Sequence, residues 1–155
     1  MCHADDLIIS HVNPMVVNDH IKMLDEEHGS KDPLSVSRGK IHEYLGMTID
    51  FNEILGACII TQYDFIKKLH SGLADGLRGK SRGAPDPDFL FKVDKDLDKL
   101  NKKDKEHYHE VTAKCLWLSQ RSRPDMQLAT GFHCYRVKDP DVNDYNKLKH
   151  VMGCM

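Results

Sequence analysis

The sequence predicts an α+β fold, with short antiparallel strands and helices in front and an all-helical segment behind. Three observations carry this. Leu45, Met47, Ile49 and Phe51 alternate and are followed by a turn and the run ACIIT, the pattern of a β-hairpin. Apolar residues recur at helical spacing in three segments beyond residue 104. Between these regions lie GLRGKSRGAPDPD and VDKDLDKLNKKDK, rich in glycine, proline and charge and poor in periodic apolar residues. The expected organisation is a mixed subdomain over residues 1–74, a charged surface loop or hinge over 75–103, and a helical segment over 104–155.

Each element has its own signal. Leu7, Ile8 and Ile9 read as a short strand, preceded by the adjacent carboxylates Asp5 and Asp6. Asn13 caps a helix that begins at Pro14, with Val17, Ile21 and Leu24 on its apolar side and Gly29 as a left-handed stop. A turn from Asn52 to Gly56 joins the two strands of the hairpin. Thr61 and Asp64 form a capping pattern for a helix whose apolar side holds Tyr63, Phe65, Ile66 and Leu69. In the back, EHYHEVTAKCLWLSQ carries Val111, Cys115, Leu116 and Leu118, with Trp117 as the expected core anchor. Ser122 and Pro124 start the next helix, with Met126, Leu128, Ala129 and Phe132; the last follows Asp139-Pro140 and holds Val142, Tyr145, Leu148, Val151 and Met152.

Composition narrows the class of protein. The chain has 155 residues, 40% hydrophobic and 30% charged, with a formal net charge of -2, which fits a single-domain length with a real core. It contains no apolar run long enough to span a bilayer, and no signal peptide is visible. The five cysteines are scattered without a CxxC pair, which fits a reducing, intracellular setting. Charge is uneven: residues 1–74 hold 6 Lys/Arg against 11 Asp/Glu, and residues 99–155 hold 11 against 7. An acidic front and a basic back suit a protein that holds cations at one end and phosphates at the other.

Aspartate is depleted in strands, and a buried ionised carboxylate is costly unless paired or bound to metal. Asp5-Asp6 is therefore a turn between two strands, a metal site, or both. A tight strand-turn-strand can present neighbouring aspartates at an exposed tip, where a hard divalent cation takes its remaining ligands from water and substrate phosphates. Two other metal readings fail. Asp94, Asp96 and Asp98 have the spacing of a calcium loop, but Lys99 stands where its glycine is required and Lys105 where its glutamate is required. His107 and His109 are two apart on a helical stretch and so face apart, whereas helical ligand pairs sit three or four apart.

HADDLIIS, KIHEYLGMTIDF and ACIITQYDFIKKL, in that order, resemble the reverse transcriptase of copia-type retrotransposons. That family carries Tyr-x-Asp-Asp at its catalytic hairpin, then a Phe/Tyr-Leu-Gly strand, then a strand running into a Gln-x-x-Tyr/Phe-Ile helix. The matching residues are His3-Ala4-Asp5-Asp6, Tyr44-Leu45-Gly46 and Gln62 through Ile66. HYHEVTAKCLWLSQRSRPDMQLATGF is similar to the family's segment ending in Thr-Arg-Pro-Asp-Ile, with Arg123-Pro124-Asp125 retained. The sequence departs from the pattern at His3, in place of tyrosine, and at Trp117-Leu118, in place of Tyr-Leu.

The resemblance implies a partial polymerase palm followed by a thumb-like helical segment. The implied activity is that of an RNA-directed DNA polymerase, with nucleotidyl transfer by two-metal chemistry on an RNA–DNA or DNA primer–template and a deoxynucleoside triphosphate. Asp5 and Asp6 would be the catalytic, metal-holding residues, with Mg²⁺ or Mn²⁺ in the intact enzyme and none tightly bound to this portion. The nucleic-acid contacts would be Lys102, Lys103, Arg121, Arg123, Arg136, Lys147 and Lys149, with no membrane partner. His3, Tyr44, Leu45, Gly46, Pro124 and Asp125 would be structural parts of the motifs. Since the motif lies at the start of the sequence, the fingers and the first metal-binding aspartate of the palm are expected to be missing, and the portion inactive alone. The other expectation is a non-catalytic remnant that binds nucleic acid weakly or serves as an interaction module.

Overall fold

The computed structural model describes residues 2–3, 6–30, 32–52, 54–73, 77, 83, 89–94 and 96–155. Its α+β class agrees with the sequence: the described residues form five α-helices, a two-stranded pair and a three-stranded sheet. They divide into two compact units, Met1–Ile59 and Ile60–Met155.

In the first unit β1 (Cys2–His3) pairs antiparallel with β2 (Asp6–Leu7), with His3 opposite Asp6. Ile8 and Ile9, expected in the strand, lie beyond it and are half-buried. Helix α1 (Pro14–His28) starts as expected: Asn13 Oδ1 accepts the Met15 amide at 3.0 Å, and proline fills the first position. Val17, Ile21 and Leu24 are its half-buried residues. The stop differs from expectation, because Gly29 has φ -76° and is not left-handed. Glycine is needed there for closeness. Its amide donates to the Asp25 carbonyl at 2.8 Å, and a Cβ would collide with the Asp25 carboxylate, which accepts the Leu34 amide.

Strands β3 (Ile41–Tyr44), β4 (Met47–Asn52) and β5 (Ala57–Thr61) form a sheet in that order. Tyr44 pairs with Met47, which leaves Leu45 and Gly46 as a two-residue turn with φ of 52° and 70°. Both residues are left-handed, as the tight hairpin turn that matches strand twist requires. Leu45 is thus a turn residue rather than a strand residue, and Tyr44, Met47 and Ile49 form the buried cluster. The Asn52 turn forms as expected, with Asn52 Oδ1 accepting the Leu55 amide and Gly56 at φ 57°.

The second unit contains α2 (Tyr63–Ser71), α3 (Lys102–Ser119), a 3-10 turn (Pro124–Met126), α4 (Gln127–Arg136) and α5 (Val142–Met152). Thr61 lies in β5 and does not cap α2; Gln62 precedes the helix and accepts the Ser122 hydroxyl at 2.8 Å. Leu69 and Leu73 are buried in the same core as Tyr108 and Leu148, so α2 packs with the helices behind it. The segment read as a surface loop is partly interior, because Leu77 and Leu90 are fully buried. Leu77 continues the four-residue spacing of Leu69 and Leu73, and Leu90 lies in the short apolar run Phe89-Leu90-Phe91, signals that the surrounding glycine, proline and charge outweighed. Trp117 is half-buried under the Arg121 guanidinium, 3.2 Å from its ring centroid, and Tyr108 takes the anchoring place in the core.

The junction between α4 and α5 is held by charge. Arg136 Nε donates to Asp144 Oδ2 at 2.8 Å, and Nη2 donates to Asp141 Oδ2 at 2.9 Å. The two aspartates also form a reciprocal cap, Asp144 N to Asp141 Oδ1 at 2.9 Å and Asp141 N to Asp144 Oδ2 at 3.1 Å. Their side chains are 2% and 1% exposed, and that of Arg136 is 14% exposed. A cation ending one helix thus meets anions starting the next, favourable to both helix dipoles. Replacing Arg136 by Met should destabilise the protein by about 3–5 kcal/mol, the cost of leaving buried charges unpaired. Urea unfolding measures this, and a midpoint equal to that of the parent protein would contradict the assigned role.

Candidate functional site

The described carboxylate of the aspartate motif lies on the wall of an open cavity in the first unit. Asp6 is exposed on β2, and it lines a volume of about 520 Å³ together with His11, Arg38, Lys40, His42 and Tyr44. Asp5 lies outside the described residues, and His3 is described as a strand position only. Leu45 and Gly46 form the turn beyond Tyr44.

Local structure sets each wall residue. Gly39 has φ 134°, a conformation that disfavours any side chain, and its carbonyl accepts His42 Nε2 at 2.8 Å. Arg38 Nη2 donates to Asn18 Oδ1 on α1 at 2.8 Å, a neutral acceptor that leaves the guanidinium its charge. His11 Nδ1 lies 3.0 Å from the Asn13 amide nitrogen and 3.3 Å from the Asn13 carbonyl oxygen. Tyr44 is 3% exposed, and its hydroxyl is buried with no hydrogen-bond partner among the described residues. Glu43 also lines the cavity, but its Oε1 accepts the Thr48 hydroxyl at 2.7 Å.

Among the described residues no three His, Cys, Asp or Glu side chains converge as a metal cage. Two exposed carboxylates, Asp6 and the Thr48-bonded Glu43, line the cavity beside basic groups, a sparse set that fits a hard cation taking most of its ligands from water and phosphate. It does not fit an all-protein site.

The seven basic residues expected to contact nucleic acid divide into two groups. Lys102 and Lys103 are exposed in the first turn of α3, and Lys149 is half-exposed in the last turn of α5. Arg121 lies over Trp117 and donates to its carbonyl at 3.3 Å. Arg123 makes paired bonds to Asp125 at 2.9 and 2.7 Å and a third to the Cys154 carbonyl at 3.0 Å. The bond to Arg123 holds the Asp125 carboxyl below its ordinary range. Pro124, between them, opens the 3-10 turn. Arg136 is clamped by Asp141 and Asp144, and Lys147 is fully buried, its ammonium on the Lys92 carbonyl and 4.7 Å from the Phe132 ring centroid. Burial lowers the Lys147 pKa against the pull of Asp144 and Asp141. Arg123, Arg136 and Lys147 are therefore part of the packing.

The sequence reading passed over Arg38, Lys40, His11 and His42. The signal was the stretch SVSRGK, hydroxyls and cations about a glycine inside an otherwise acidic region. No helix of the described residues is long and apolar enough to cross a membrane. No protein-family model, curated protein or solved structure matches the chain.

The helical core holds one further titratable pair. The Tyr108 hydroxyl and His133 Nδ1 are hydrogen-bonded at 2.7 Å, and burial raises the phenol pKa so that the phenol stays protonated. Burial, with the Lys147 charge, pushes the His133 pKa from 6.5 to about 3. Unfolded chains thus take up a proton that folded chains refuse. This contribution is intact above about pH 6.5 and is lost as pH falls towards 3, at about 1.4 kcal/mol per unit. His133→Gln should remove that slope between about pH 6 and 4.5 in unfolding titrations. Identical slopes in parent and variant would contradict it.

Proposed function

We propose that the chain is a palm-and-thumb portion of a copia-type reverse transcriptase, contributing to RNA-directed DNA synthesis. The observation that carries this reading is the pairing of His3 with Asp6, which sets Asp6 on an antiparallel strand pair and on the lining of a cavity shared with Arg38 and Lys40. The ordered motifs Tyr44-Leu45-Gly46 and Arg123-Pro124-Asp125 support it from two other places in the chain.

In the intact polymerase Asp6, with Asp5, would hold Mg²⁺ or Mn²⁺. The ion supplies charge neutralisation at the reacting phosphate and at the attacking hydroxyl of the primer. The chain's own part is to orient the carboxylate: the His3–Asp6 pairing fixes the backbone while Leu7 continues the strand. In the helical unit Lys102, Lys103 and Lys149 would contact the sugar-phosphate backbone of a primer–template, since Arg123, Arg136 and Lys147 are committed internally. Such contacts tolerate any sequence, as copying requires. The internal commitment of those three cations also favours a second reading, in which the helical unit is a packing module and nucleic-acid binding is weak.

The test is metal binding followed through amide signals. Mn²⁺ should broaden Asp6 and Leu7 first, with affinity on the order of millimolar because few protein ligands are offered. Asp5→Asn with Asp6→Asn should abolish this, and the chain alone should extend no primer on an RNA template above that variant's background. Broadening elsewhere, or persisting in the double variant, would overturn the reading.

A further inference from the structure

We propose that strand β5 is the docking edge for a second copy of this chain. The two β5 strands pair antiparallel about a two-fold axis through Ile59, joining two three-stranded sheets into one of six strands. The polymerase reading plays no part in this pairing.

The first observation is the free edge. Strand β5 has β4 on one side and, among the described residues, no strand on the other. No backbone hydrogen bond among the described residues ties Ala57–Thr61 to anything outside its own sheet. All five residues are exposed, so no described helix or loop covers the strand. An open edge presents a row of unpaired N–H and C=O groups, and their complement is the backbone of another strand.

The second observation is that β5 lacks the devices that keep an edge from pairing. Lysine, proline or an inward charge blunts most exposed edges. Strand β3, at the opposite side of the sheet, follows Lys40 and carries Glu43. Strand β5 has neither charge nor proline, and residues 54–63 contain no Asp, Glu, Lys or Arg in a chain that is 30% charged. Ile54, Leu55, Ile59, Ile60 and Tyr63 in that stretch are large hydrophobic residues left exposed.

The third observation identifies the partner strand. Antiparallel pairing of ACIIT with itself sets Ile59 against Ile59, Cys58 against Ile60 and Ala57 against Thr61. Every pair is uncharged, and isoleucine and threonine suit a pleated surface. Charge also decides where a copy can approach. Residues 1–59 hold 4 Lys/Arg against 10 Asp/Glu, so two copies repel over most of this unit and meet with least repulsion at an uncharged edge. Five residues bury little area, so the dimer is weak and forms at high concentration.

The experiment follows the mass of the full chain by sedimentation between about 10 µM and about 1 mM. The expected result is a monomer passing to a dimer, with association strengthened as salt screens the acidic units. Amide exchange of residues 57–61 should slow as concentration rises, while that of residues 41–44, on the charged edge, stays the same. Ile59→Lys and Ile59→Glu should each weaken the dimer about tenfold or more, because like charges then face each other across the axis. Ile59→Thr, neutral and suited to a strand, should weaken it only a few-fold. An equimolar mixture of Ile59→Lys and Ile59→Glu should pair again, since opposite charges then meet, a rescue that misfolded variants would not give. A chain that stays monomeric leaves the edge to a strand of another polypeptide and overturns the proposal. So does a dimer that Ile59→Lys leaves unchanged, one whose slowed exchange falls outside residues 57–61, or a mixture no better associated than its components.

Discussion

A charge that leaves water must be met by another, and this constraint organises the helical unit. Arg136 could not occupy the end of α4 without Asp141 and Asp144, which cap α5 and accept both of its donor edges. Lys147 enters the interior one turn further along α5, where its ammonium reaches the Lys92 carbonyl. The intervening chain is drawn in as well: Val142 donates to the Asp98 carbonyl and Leu100 to the Pro140 carbonyl, tying the approach to α3 to the start of α5. Replacing such pairs by apolar groups often costs little, but removing one member alone is expensive. The arrangement therefore specifies which helix ends meet more than it adds to stability.

The same commitment decides which cations can act on a ligand. A basic balance over residues 99–155 reads in sequence as a surface available to phosphate. Three of the strongest candidates there turn inward, whereas Arg38, bonded to Asn18, and Lys40 are exposed residues lining a cavity in the unit whose overall charge is acidic. Local geometry outweighs the charge sum. Two carboxylates, Asp6 and Glu43, and two cations, Arg38 and Lys40, line one cavity, a grouping that composition does not reveal.

Local signals were the legible ones. Asn13-Pro14 capped α1 as read, the Asn52–Gly56 turn formed, and Val17, Ile21 and Leu24 faced inward, because each depends on neighbours in sequence. The errors arose where distant contacts decide. Leu45 alternates correctly with Met47, yet the Tyr44–Met47 pairing places it in the turn. Leu77 and Leu90 are buried although they fall in a stretch rich in glycine, proline and charge, and Trp117 gives up the core to Tyr108 and His133. Of the candidate site, Asp6 was evident as an aspartate out of place in a strand. Arg38 and Lys40 were not, because a basic residue in a loop comes to line a cavity only when a helix start and a strand are brought beside it.

The central claim is that phosphate-bearing ligands meet this protein at the Asp6 cavity. Hydrogen–deuterium exchange on the full chain, with and without an RNA–DNA hybrid in Mg²⁺, tests it most directly. The account predicts slowed exchange at residues 6–11 and 37–44, with smaller changes at the exposed lysines of α3 and α5. Slowing confined to residues 102–149, with the cavity segments unchanged, would contradict it.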